Sequence, residues 1–246
     1  MIEGILGTPI EPAVLARIDR LPRKPEPVVL EGDRVVLRPT DPAMDSRPLF
    51  AASDGRAMTL GARSVAAYDP DAVVWRYMPG GPYATAADLE ASLVVQSEAP
   101  DGTPLTVVDG ATGTPIGVVG LITNDPPNLK IELGGIWYGP IAQRTGANTE
   151  ATWLLLRHCF GLGYRRVEWK CDSLNARSRS TALRMGFRFE GIQEQHRVTK
   201  GRNRDTAWFR ILAEEWPVVD QHLQGLLAVS DAPAAPAAGA DDGARP

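Results

Sequence analysis

The chain has 246 residues, 43% of them hydrophobic and 23% charged, which excludes wholesale disorder and allows one well-buried domain. No uninterrupted apolar run reaches the roughly 18 to 20 residues that span a bilayer, and "MIEGILGTPIEP" lacks the basic start and apolar core of a signal peptide, so a cytoplasmic protein is expected. Net charge is −4 but uneven: between Arg165 and Arg210 twelve Lys and Arg stand against five acids, a local +7 against −11 for the remainder.

A basic segment of that kind suits a phosphate-bearing ligand, and the acidic remainder suits a cationic or amine substrate; a solvated surface of mixed charge accounts for the imbalance equally well. Two cysteines, Cys159 and Cys171, are too few for a disulfide framework or a cysteine-based zinc site. They read as small buried hydrophobes, and no metal is expected.

In chain order, residues 1–27 form a proline-rich N-terminal extension and the folded domain is expected over 28–227. "DRVVLRPT" reads as a first strand and "DPAMDSRPLFAASD" as a short helix. Pro79, Gly80, Gly81 and Pro82 break the chain, after which Thr85 caps a helix carrying Leu89, Leu93 and Val94. "LTVVDGATGTPIGVVGLI" has the form of a hairpin, and "KIELGGIWYGP" that of a strand whose interior Gly134 and Gly135 mark a bulge or a close backbone approach. A helix from about Thr149 to Leu162 ends at Gly163 and leads into the strand "RRVEWKCD". The helix "NARSRSTALRM" stops at Gly186, a second hairpin follows through "TKGRN", and residues 228–246 read as a disordered Ala/Pro/Gly-rich tail. Strand, helix and strand over 131–172 make a βαβ unit with a parallel strand pair, flanked by hairpins on both sides. The class is therefore α/β (α+β) with a mixed, mostly antiparallel sheet.

The junction between the strand at 131–138 and the next helix carries the chemistry. In "QRTGANTE" a strand leads through a glycine-bearing loop into a helix start, where free backbone N–H groups and the macrodipole attract an anion. Arg144 adds a full charge, and Gln143, Thr145 and Asn148 add donors. An empty helix start capped by Asn148 or Thr149 fits the loop alone as well. The Walker and Rossmann glycine patterns are absent, which disfavours an ATP-driven or nicotinamide enzyme.

"QRTGAN" from Gln143 resembles the acyl-CoA loop of the GNAT superfamily of N-acetyltransferases. The order of strand, loop, helix, strand, "LNARS", helix, "GF" and hairpin is similar as well, over roughly residues 30–220. Within that superfamily "TGANTEA", "RVEWKCDSLNARSRSTALRMGF" and "RDTAWFRILAEEWP" most resemble the RimJ/RimL-type branch. Asn148 departs from the glycine or alanine common at the last loop position.

The resemblance implies a central parallel pair that splays apart, helices on both sheet faces, and acetyl-CoA as acyl donor with no metal. Backbone groups of Ile136, Trp137 and Tyr138 would bond the pantetheine arm, and Gln143, Arg144, Thr145, Gly146, Ala147 and Asn148 the pyrophosphate. Asn175 would meet the pantetheine arm, and some of Arg177, Arg179 and Arg184 the adenosine 3′-phosphate. Glu132 would take the amine proton directly or through water, with Glu168, Glu190 and His196 in reserve, and Ser178 would protonate the departing thiolate. Trp75, Tyr77, Tyr83 and Trp208 would line the acceptor pocket. The expected reaction is acetyl transfer to a primary amine, on a peptide N-terminus or a small molecule, by direct attack in a ternary complex. A non-catalytic acyl-CoA-binding regulator of the same fold is the alternative, with an RNA-binding use of the basic segment behind it. Neither a membrane nor a nucleic-acid partner is expected, and a homodimer is one assembly the resemblance allows.

Overall fold

Burial of alternate residues turns the apolar runs into strands. Val35 and Leu37 are fully buried while their neighbours are half-exposed, so "VVLRP" presents one face to the core. The computed structural model describes residues 7–231. Its strands are β1 (Leu30–Glu31), β2 (Val35–Pro39), the small pair β3 (Met58–Leu60) and β4 (Arg63–Val65), β5 (Thr103–Asp109), β6 (Pro115–Asp125), β7 (Lys130–Tyr138), β8 (Arg166–Asp172), β9 (Arg188–Thr199) and β10 (Arg202–Leu212). Eight of them form one sheet in the order β1-β2-β5-β6-β7-β8-β10-β9, antiparallel throughout except for the parallel β7–β8 pair. The mixed sheet and central parallel pair expected from the sequence are both present.

Helices cover both faces. On one side α2 (Pro42–Ala51) and α3 (Ala86–Ser97) bury Leu49, Leu89 and Leu93 with Trp75, Val118 and Trp137. On the other, α4 (Ala147–Leu162), α5 (Ala176–Arg184) and α6 (Trp216–Asp231) pack on Ile131, Leu133, Val167 and Phe209. Thr85 caps α3 as expected, in a reciprocal box with Asp88. β7 contributes to both cores. Two steps along β6, from Val118 to Gly120, match three along β7, from Trp137 to Gly134, so β7 carries a bulge. Gly135 supplies the positive φ of 63° that the bulge requires. Ile131 and Leu133 therefore face one core and Trp137 the other.

Three features differ from the sequence reading. The N-terminal extension, from its first short helix α1 (Pro12–Leu15) onward, is docked: Thr103 Oγ1 donates to the Pro25 carbonyl at 2.7 Å, and Asn124 Nδ2 to that of Pro22 at 2.8 Å. At the other end α6 carries regular structure to Asp231, past the expected boundary at 227, because Val219, Leu223 and Leu227 repeat at helical spacing and are buried. The remainder of the expected tail, 232–246, lies outside the described residues. The third difference is that α4 begins at Ala147 with Gly146 as its N-cap, two residues before the expected start. Both cysteines are buried as expected.

Candidate functional site

Pairing between β7 and β8 runs from Lys130–Arg166 to Leu133–Trp169 and stops there, although β7 continues to Tyr138 and β8 to Asp172. Beyond Leu133 the two strands part, leaving the backbone edge of β7 toward β8 without a strand partner. The bulge lies at the point of parting. A Cβ on Gly134 would come within 2.3 Å of Ile122 Cδ1, so this turn of backbone admits no side chain.

β7 then runs through "GPIAQRTG" into α4. Gly146 holds a φ of 81° and Arg144 one of 64°, which folds the loop tightly over the helix start. No side chain caps α4. Asn148 and Thr149, the expected caps, sit inside the first turn instead: Asn148 Oδ1 accepts from Thr152 Oγ1 at 3.4 Å, and Thr149 Oγ1 from Arg184 at 3.2 Å. Thr145 closes the loop on itself, donating to the Ala142 carbonyl at 2.7 Å, and Ala147 is buried beneath it. Thr145 Oγ1 also receives the Ala147 N–H at 3.3 Å, and the remaining N–H groups of this turn have the helix dipole behind them.

A cavity of about 720 Å³ runs along this loop and into the slot between the parted strands. Ile136, Trp137 and Tyr138 form one wall and Asn175, Ser178 and Arg184 the other, with Gln143, Arg144, Gly146 and Asn148 at its outer end. The Tyr138 hydroxyl is buried on this wall without a hydrogen-bond partner, and burial pushes its pKa up. The helix start and the open strand edge together fit a long, phosphate-bearing ligand. Of the three arginines expected near a 3′-phosphate, Arg177 and Arg184 line the cavity. Arg179 is drawn away, donating to the Ser173 carbonyl at 3.1 Å.

A second cavity, about 470 Å³, opens on the other side of the slot, and the two share Tyr77, Met78, Ile136, Trp137, Trp169, Asn175 and Ser178. Asn175 caps α5 by accepting from the Ser178 N–H at 3.1 Å, so its amide N–H₂ remains for a ligand. Ser178 Oγ accepts from Trp169 Nε1 at 3.0 Å, with the Cys171 thiol as its other polar neighbour. Glu132 lies on the floor of the second cavity, 7% exposed, receiving Thr123 Oγ1 at 3.1 Å and facing Lys170 Nζ at 3.0 Å.

The expected aromatic residues divide. Tyr77 and Tyr83 line the second cavity, and Tyr83 donates to Ser92 Oγ at 2.7 Å. Trp75 presents an edge to that cavity but is 3% exposed, packed on Tyr83 and Trp137 with ring centroids 5.0 and 4.7 Å away. Trp208 is not on the wall: it stands behind Lys170, whose Nζ lies 4.0 Å from its ring centroid. Among the reserve bases His196 lines the second cavity, its Nδ1 2.8 Å from Thr206 Oγ1. Burial, then Arg197, Arg204 and Lys170, hold the His196 pKa below its ordinary value, so the ring is neutral near pH 7. Glu168 and Glu190 lie outside both cavities and are bound to Arg166. Sequence reasoning missed Lys170 as the partner of Glu132, because a lysine in "VEWKCD" carries no sign of what faces it across the sheet.

A helix start suited to an anion that opens, through a slot between parted strands, onto a second cavity has the form of a site where a carrier-bound group meets its acceptor. Residues 34–188 match the family profile described as an acetyltransferase (GNAT) domain. The fold is similar to that of a GCN5-related N-acetyltransferase from Brucella melitensis, at 40% identity and TM-score 0.76, covering 87% of this chain and 90% of that one. It is also similar to a probable acetyltransferase of the GNAT family from Chromobacterium violaceum, at 31% identity and TM-score 0.72, covering 86% and 97%. A comparison with curated proteins finds no match. The chain belongs to the GNAT acetyltransferase family, whose members use acetyl-CoA. Among the described residues no helix is long and apolar enough to cross a membrane, and no group of His, Cys, Asp and Glu is arranged to hold a metal.

Proposed function

We propose that the protein transfers an acetyl group from acetyl-CoA to a primary amine by direct attack in a ternary complex. The observation that carries this reading is the meeting of the two cavities at Ile136, Asn175 and Ser178, where the β7–β8 pairing has ended. Residues 143–148 would hold the pyrophosphate, the β7 backbone at Ile136, Trp137 and Tyr138 with the Asn175 amide the pantetheine arm, and Arg177 and Arg184 the 3′-phosphate. Acetyl-CoA supplies the activated carbonyl.

The chain's own residues then have three tasks. Glu132, at the foot of the bulge, accepts the amine proton through a water, with Lys170 fixing its carboxylate. The backbone N–H near Ile136, on the stretch of β7 that β8 does not pair, stabilises the tetrahedral oxyanion. Ser178, already accepting from Trp169, offers its own proton to the departing thiolate. Tyr77 and Tyr83 guide the acceptor. In sequence the chain resembles the RimJ/RimL-type branch, acting in the cytoplasm, with a peptide N-terminus or a small amine as acceptor.

The test is thiol release from acetyl-CoA across a panel of amines and peptides, with CoA binding followed by calorimetry. Turnover with at least one amine, and its loss in Glu132→Gln and Ser178→Ala, is expected. Absence of both thiol release and CoA binding would overturn the reading.

A further inference from the structure

The cations of the basic segment fall into groups with different partners. Arg166, Lys170, Arg188, Lys200 and Arg210 all form ion pairs, and Arg177 and Arg184 line the first cavity. Arg197 and Arg204 line the second cavity instead. They are register partners across the β9–β10 hairpin, yet among the described residues neither forms an ion pair. Like charges directly opposite one another disfavour a hairpin; Arg197 is exposed and solvated, but Arg204 beside it is half-buried. Arg204 Nε is in addition buried without a hydrogen-bond partner.

The neighbouring acids do not cancel this charge. Asp205, next to Arg204, accepts from the Gln195 N–H at 2.7 Å and Asn203 Nδ2 at 2.8 Å, on the face away from the cavity residues Arg204 and Thr206. Glu132 is held by Lys170. Asp172 is the other acid on the wall, and it accepts the Leu174 N–H at 2.9 Å. One partly engaged carboxylate thus faces two unpaired guanidinium groups.

We propose that the acceptor is a small amine that also carries a carboxylate or phosphate, and that Arg197 and Arg204 hold that anion. The inference rests on the transfer reading above and names its substrate class. A guanidinium pair matches the planar oxygens of either anion. A cavity of about 470 Å³ has the size of a small-molecule site. The same positive field favours the unprotonated form of a bound amine, which is the form that attacks, and it disfavours polycations.

Matched acceptors test it: 4-aminobutanoate against 1-aminobutane, phosphoethanolamine against ethanolamine, and spermidine as a polycation. The anionic member of at least one pair is expected to show a kcat/KM about tenfold or more above its neutral partner, and which pair does so distinguishes carboxylate from phosphate. Arg197→Gln and Arg204→Gln should each lower that ratio about tenfold, with CoA affinity unchanged. Neither should lower the melting temperature, because each relieves the cross-strand repulsion; a purely structural arginine would do the opposite. Equal kcat/KM within both pairs, or a preference for spermidine, overturns the inference. If no amine releases thiol, the transfer reading fails by itself, and calorimetry decides the anion site. Binding of 4-aminobutanoate or phosphoethanolamine to the CoA-loaded protein, lost in Arg204→Gln, supports it; no binding of either overturns it.

Discussion

Glu132 and Glu168 are register partners across the parallel β7–β8 pair, and a single ammonium, Lys170 Nζ, stands 3.0 Å from a carboxylate oxygen of each. All three side chains are less than 10% exposed. Two buried carboxylates side by side repel, and the shared lysine offsets that repulsion. Lys170→Met is therefore expected to cost about 3–5 kcal/mol of stability, read by urea unfolding, since it leaves buried charge uncompensated. Glu168, whose pKa the Lys170 hydrogen bond helps to lower, should then retain a proton to higher pH, and the acidic limb of kcat/KM should move upward. A loss of stability with an unmoved limb would make Lys170 a structural group only.

The bulge in β7 gives a second prediction. Gly135 holds a φ of 63°, where a Cβ adds roughly 1–2 kcal/mol of strain. Gly135→Ala should relax the bulge and move the N–H near Ile136 that we propose for the oxyanion. We expect kcat to fall by about 10²–10³, the loss found when one oxyanion donor is removed. The KM for acetyl-CoA should change much less, because the loop at 143–148 is untouched. An equal fall in CoA affinity would show that the bulge serves binding instead.

The parts of this architecture that were legible in the sequence are those with a local signature. "LTVVDGATGTPIGVVGLI" alternates and turns, Thr85 begins a capping box, Gly163 and Gly186 stop helices, and each does so in the structure. The parallel pair followed from strand, helix and strand in sequence. What faces what across the sheet has no local signature. "VEWKCD" does not reveal that Lys170 meets Glu132, nor "HRVTKGRNR" that Arg197 lies opposite Arg204. The aromatic residues divide for a related reason: Trp75, Tyr77 and Tyr83 line the second cavity and Trp208 does not, and packing alone decides that Trp75 is mostly core and Trp208 stands behind a lysine.

Acid should act on the Arg166 charge network. The Arg166 hydrogen bond holds Glu190 below its ordinary 4.5. Burial opposes ionisation of Glu168, but hydrogen bonds from Arg166 and Lys170 outweigh it and its pKa is also lowered. A carboxylate whose pKa is lower folded than unfolded contributes stability that is complete above the unfolded value and is lost as pH falls through the folded one. Melting temperature should thus hold down to about pH 4.5 and decline below it. Arg166→Gln should lower the plateau and make the acid decline shallower, because less linkage remains to be lost. A parallel displacement of the whole profile would place the linkage on other carboxylates.

Glu150 ties the start of α4, after the loop at 143–148, to the rest of the sheet. It lies in the first turn of α4, 2% exposed, and accepts from the backbone N–H groups of Asp33, Arg34 and Val35 at 3.1, 2.7 and 2.8 Å. The fit is close: a Cβ on Gly32 would come within 2.5 Å of its carboxylate. Arg34, which also faces Glu150 at 3.5 Å, packs under Gly146, where a Cβ would meet Arg34 Cδ at 3.1 Å. Glu150→Gln keeps the shape but sets an N–H₂ donor against backbone donors. A loss of about 3 kcal/mol is expected from the unmatched amides. Glu150 does not line the first cavity, so it has no direct contact to offer CoA. If the carboxylate is what aims the N–H groups at the start of α4, calorimetry on the folded variant should nevertheless show CoA binding weakened about tenfold, a loss of about 1.4 kcal/mol. Undiminished CoA binding would mean that Gly146 and the body of α4 hold the loop without Glu150.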